Sequence, residues 1–179
     1  MAEHSYTSRR ELDQYYFHPV VTVVAPLVLV LLQTVLPKVF PRIAIFDLPL
    51  IAVIFFAVAR RSPIAGAVTG TLVGLFQDGL TNHPFGVYGI AKAFVGYMAA
   101  SIGFAVDMEN MVNRAVLTFV ASLFQSVIEL IIEHGLLGDS TMHFLPLHGW
   151  PLHELIRAVV NTLVAIPLFF LLDRFKQRE

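Results

Sequence analysis

Six apolar runs, at about 19–36, 44–59, 63–80, 86–106, 112–132 and 152–172, take up most of the chain. A helix crossing the roughly 30 Å hydrocarbon core of a bilayer needs about 17–25 largely apolar residues, and most of these runs reach that length. A helix satisfies its backbone N–H and C=O groups within itself, which lipid requires. The pattern therefore predicts an all-α integral membrane protein, a six-helix transmembrane bundle. Composition agrees: 56% of the 179 residues are hydrophobic and 14% charged, against about 25% charged in a soluble domain.

The same numbers exclude several functions. A net charge of −1 leaves no basic face for nucleic acid. The absence of cysteine rules out disulfides, thiol catalysis and thiolate metal sites. The chain divides into a cytoplasmic arm, 1–18, and a six-span membrane domain, 19–179. In the arm, Ser8-Arg9-Arg10-Glu11 matches a capping box and predicts a short interfacial helix. Tyr15, Tyr16 and Phe17 then fit the aromatic belt at a membrane surface. No cleavable signal peptide is expected, because the first eighteen residues are polar and no small-residue cleavage pattern follows.

The second run is the weakest. Asp47 and Pro49 stand at its start and Arg60-Arg61 stop it, so it spans only if Asp47 lies at the interface. Six spans place both termini on one side. Arg9, Arg10, Arg60, Arg61, Arg114, Arg174, Lys176 and Arg178 then share that side, and only Lys38 and Arg42 lie opposite. By the positive-inside rule both termini are cytoplasmic, in a multi-pass protein of the cytoplasmic (inner) membrane. The long segment 134–151 falls on the outer face and has no Lys or Arg.

From Ser62 to Gly103 two runs form a hairpin around Thr81-Asn82-His83-Pro84. Gly66, Gly70, Gly74 and Asp78 recur every fourth residue, as do Lys92, Gly96 and Ala100, so each set forms one stripe. Small residues let helix backbones approach closely in lipid. Asp78 and Lys92 are expected at similar depth, paired. An intramembrane charge costs roughly 2.5–3.5 kcal/mol on insertion scales and should face a partner or a cavity.

Later runs add Gln125, Glu129 and Glu133 on one stripe and Glu154, Arg157 and Asn161 on another. A Glu129–Arg157 pair is expected, within a polar layer in the outer half of the bundle. Asp78, Lys92, Glu129 and Arg157 are thus either buried pairs that fix helix order or the walls of an outward cavity. His83, His134, His143, His148 and His153 also fall on the outer side, but with irregular spacing. His153-Glu154 begins an HExxH pattern whose second histidine position holds Arg157, a cation, so no metal is expected. No cofactor fingerprint and no nucleophile–base set appears, so the chain is read as non-enzymatic and an intramembrane hydrolase is disfavoured.

The run FDLPLIAVIFFAVARRSPIAGAVTGTLVGLFQDGL, followed by PFGVYGIAKAFVGYMAA, resembles the rod shape-determining protein MreD family. The likeness lies in Asp47 and Pro49 opening a short second span, in Gly66, Gly70, Gly74, Leu75 and Asp78 of a Gly-ladder span, and in Gly86, Gly89, Gly96 and Tyr97 of the next. It implies a non-enzymatic membrane scaffold of the bacterial cell-elongation and peptidoglycan-synthesis machinery. Its partners would be membrane lipid and MreC and, indirectly, MreB, RodA and a class B penicillin-binding transpeptidase. The architecture implied is similar to the substrate-binding subunits of energy-coupling-factor transporters. Fold analogy does not carry function; the alternative function, a small-molecule-binding transport subunit with an outward-facing polar cavity, rests on the polar layer on one side of the bundle.

Overall fold

A computed structural model describes residues 16–17, 19–81, 83–106, 108, 110–135 and 150–177. The expected arm helix at Ser8 and most of the segment 134–151, with His143 and His148, lie outside the described residues. Six α-helices follow in order: α1 (Pro19–Val39), α2 (Leu48–Arg60), α3 (Pro63–Thr81), α4 (Val87–Ala105), α5 (Met111–Gly135) and α6 (Trp150–Asp173). A 3₁₀ turn, Pro41–Ile45, links α1 to α2. The short strands β1 (Tyr16–Phe17) and β2 (Lys176–Gln177) pair antiparallel, with Tyr16 opposite Gln177. The described ends of the chain therefore meet at one end of the bundle.

Four helices, α1, α4, α5 and α6, are long and apolar enough to cross a membrane. Helix α3 has 19 residues, but its glycines, threonines, Gln77 and Asp78 dilute its apolar content. Helix α2 has only 13 residues, about 20 Å at the helical rise. The six expected spans are thus six helices of unequal kind.

Helix α2 is short because its start is fixed at Asp47 and its stop at Arg61. The Asp47 Oδ1 accepts from Leu50 N at 3.1 Å, an N-cap, and Pro49 fits the first turn, where an N–H would be unpaired anyway. The helix stops at Arg61, in the left-handed region (φ 48°), whose N–H reaches back to Ala57 O. Between these ends every residue from Pro49 to Ala57 is buried, so α2 is the axis of the bundle. All five other helices touch it. A helix apolar on every side is a core helix. Phe55 and Phe56 meet edge-on at 5.3 Å, and Phe55 stacks on Phe169 of α6 at 5.7 Å.

The α3–α4 pair forms the most extensive contact in the bundle. A Cβ added at Gly66 would lie 2.4 Å from the Gly96 carbonyl oxygen, at Gly70 2.0 Å from that of Lys92, and at Gly74 2.2 Å from that of Tyr88. Gly96 meets Gly66 in the same way, at 2.1 Å. Backbone rests on backbone, which side chains at these positions would prevent. This contact sets the register of the hairpin: 66 against 96, 70 against 92, and 74 against 88 and 89.

Candidate functional site

That register separates Asp78 from Lys92. Lys92 lies beside Gly70, eight residues from Asp78 along α3, or about 12 Å by helical rise. The expected Asp78–Lys92 pair does not form. Asp78 instead faces the start of α4, whose first N–H groups lack intrahelical acceptors. Its Oδ2 accepts from Gly86 N at 2.9 Å and Gly89 N at 3.2 Å, and its Oδ1 accepts from Tyr88 N at 3.1 Å. Gly86 makes this turn with φ 103°, which L side chains rarely adopt. A carboxylate on a helix N-terminus also opposes the positive end of the dipole.

Lys92 turns to the other flank, since the backbone contact leaves no room for a side chain between α3 and α4. Its side chain has 0% exposure, and its Nζ donates to Asp47 Oδ2 at 2.6 Å and to Gln125 Oε1 at 3.3 Å. The ammonium also lies 4.6 Å from the centroid of the Tyr88 ring. Asp47 is the centre of the site. Besides capping α2 and holding Lys92, its Oδ2 accepts from Gln125 Nε2 at 2.9 Å and lies 3.7 Å from Arg157 Nη2. Its own N–H donates to Asn161 Oδ1 at 2.8 Å, tying α2 to α6.

The network continues outward. Gln125 Nε2 donates to Glu129 Oε1 at 2.6 Å, and Arg157 Nη1 donates to Glu129 Oε2 at 3.1 Å and to Glu154 Oε2 at 3.4 Å. Ser126 Oγ donates to Glu154 Oε2 at 2.5 Å, and Asn161 Nδ2 to Ser122 Oγ at 3.1 Å. Polar side chains from α4, α5 and α6 thus converge on the N-cap of α2. A paired, hydrogen-bonded charge can be held in the interior, where an isolated one could not.

Asp47 enters the sequence pattern only as the opening residue of a short span. A sharper signal is present: Asp47-Leu48-Pro49 is an N-cap followed by proline at N2, and a capping carboxylate inside an apolar run needs a cation. His83 Nε2 lies 3.8 Å from Glu133 Oε1, and His153 Nδ1 lies 3.0 Å from Glu154 Oε1. Among the described residues no three His, Asp or Glu side chains gather as a metal site would require.

Above the network, a cavity of about 600 Å³ is lined by Pro41, Arg42, Ala44 and Ile45 of the linker, Tyr88, His153 and Arg157. Of the four polar residues Asp78, Lys92, Glu129 and Arg157, only Arg157 reaches it. The geometry is that of a cross-braced bundle with a shallow recess beside the start of α2.

The family described as rod shape-determining protein MreD matches residues 16–175 of the chain. No curated protein and no solved structure matches it.

Proposed function

The chain belongs to the rod shape-determining protein MreD family, and on that premise we propose that it is a non-enzymatic scaffold that binds MreC. The family match across residues 16–175 carries this reading. Through MreC it would serve MreB, RodA and a class B transpeptidase in peptidoglycan synthesis. Membership supports a role in rod shape determination, and the apolar helices fit a membrane protein. The finer assignments are multi-pass insertion in the inner membrane with both termini cytoplasmic, a cytoplasmic arm over 1–18 and a membrane domain over 19–179.

The physical support is rigidity. A docking surface held in its bound shape loses less entropy on association. Here Asp47, Lys92, Gln125, Glu129, Glu154 and Arg157 bind four helices together, and the packing glycines Gly66, Gly70, Gly74 and Gly96 fix a fifth. The test is co-purification with MreC in mild detergent. Stable capture is expected, and a clean chain that fails to bind MreC removes the proposal.

The outer cavity favours a second reading, a small-molecule-binding transport subunit. Thermal stabilisation by a vitamin-sized ligand, reversed by Arg157→Gln, is the outcome it needs.

A further inference from the structure

A second recess lies on the opposite end of the bundle and serves neither reading. It is a groove of about 580 Å³ between Val23, Pro26 and Leu27 of α1 and Ala65, Val68 and Leu72 of α3. Arg60 and Ser62 also line it. Pro26 sits inside α1, where it offers no N–H to the preceding turn. Ala65 on the α3 side is small and leaves the gap unfilled.

Two observations fix what the groove can take. The first is length. From Ser62 to Val73 it follows α3 for about 16 Å at the helical rise, about half of the roughly 30 Å hydrocarbon core. A spanning helix from a partner would need a seat of the full depth, whereas a lipid chain occupies a single leaflet. The second is charge. Arg60 is exposed at the polar end and has no ion-pair partner among the described residues. A guanidinium matches a phosphate in geometry as well as charge. Ser62 supplies a hydroxyl beside it, although its oxygen already accepts from Ala65 N at 3.4 Å.

We propose that this groove binds one anionic phospholipid of the leaflet on the Arg60 side. One acyl chain lies between α1 and α3, and the headgroup phosphate lies against Arg60. Exchanging one lipid chain for another in the groove gains little, because lipid is already as apolar as the walls. Selectivity therefore resides in the headgroup, where a basic residue near the surface attracts anionic lipid.

The test is native mass spectrometry of the purified full chain, offered phosphatidylglycerol and phosphatidylcholine with identical acyl chains. Both lipids present a phosphate, so the ratio reads the net headgroup charge alone, and the unaltered protein should retain phosphatidylglycerol about fivefold over phosphatidylcholine, the scale of one basic residue near the surface. Arg60→Gln, at an exposed position, should bring that ratio near one while lipid of both kinds still binds. Ala65→Trp, with thermal stability checked alongside, should reduce retention of both. An unchanged headgroup ratio in Arg60→Gln overturns the proposal. So does an Ala65→Trp protein that folds, keeps its lipid and loses a partner helix, which would make the groove a protein seat. Neither result depends on whether MreC binds elsewhere.

Discussion

With no surface exposed to solvent, Lys92 depends wholly on Asp47, Gln125 and the Tyr88 ring for its ammonium. Removing one partner of a buried pair leaves a charge without compensation and costs about 3–5 kcal/mol, whereas replacing both with apolar groups of similar volume can be nearly neutral. Asp47→Leu should therefore lower stability in detergent by about that amount, and adding Lys92→Met should recover much of it. The recovery stays partial, since Asp47 also caps α2. Asp78→Leu with Lys92→Met should instead show losses close to additive, because the two residues share no bond and meet only through Tyr88, whose N–H serves Asp78 and whose ring serves Lys92. Asp78→Leu alone strips the N–H groups of Gly86, Tyr88 and Gly89, at the start of α4, of their acceptor. Each such loss in a buried setting costs about 1–3 kcal/mol before relaxation. Thermal unfolding of these four variants and of Lys92→Met alone closes both cycles, and strong coupling between 78 and 92 would contradict a hairpin in which Lys92 lies beside Gly70. The stripes themselves were legible in the sequence, because four-residue spacing is local. The offset between them was not: it follows from where the backbones touch, and that contact placed Asp78 two turns from Lys92. The true partner, Asp47, lies 45 residues away, beyond any periodicity argument.

Among helices, the α3–α4 contact is where substitutions differ most sharply. A methyl group at Gly70 would sit 2.0 Å from the backbone oxygen of Lys92, an obstacle that no side-chain rotation removes. Gly70→Ala should push the helices apart and cost about 1–3 kcal/mol, the usual range for overpacking. The shift would also draw Lys92 away from Asp47, so the loss should fall at the upper end. Gly79 is in the same helix, but nothing lies within 4 Å of its added methyl. Gly79→Ala should be neutral or stabilising by up to about 1 kcal/mol, the helix preference of alanine over glycine. Melting temperatures of the two proteins in one detergent decide this, and similar losses at both sites would show that the glycines do not pack as described. Helix α2 was only partly legible. Its start at Asp47 and stop at Arg60-Arg61 stand in the sequence, but its central position does not. An apolar run of that length reads alike as a short span or a core helix until its neighbours are placed.

For the whole molecule, the arrangement of charge along the bundle makes a topology that can be tested directly. Arg114 donates to Asp173 at 2.6 Å, and β1 pairs with β2, so the start of α5, the end of α6 and both described chain ends share one face. Arg60 and Arg61, at the end of α2, line up with the same face, since Arg60 shares a groove with Thr22 near the start of α1. The opposite face carries the outer cavity and the ends of α5 and α6 that flank segment 136–149. Basic residues favour the cytoplasmic side, so the Arg-rich face should lie inside. The chain has no cysteine, and single cysteines can therefore be introduced without background labelling. In intact cells a membrane-impermeant maleimide should label Ser140→Cys and spare Ser62→Cys and Gln177→Cys until the membrane is opened. The reverse pattern would invert the bundle and place the buried network in the inner leaflet. Labelling of Ser62→Cys and Ser140→Cys from the same side would contradict three full crossings by α3, α4 and α5 between those positions.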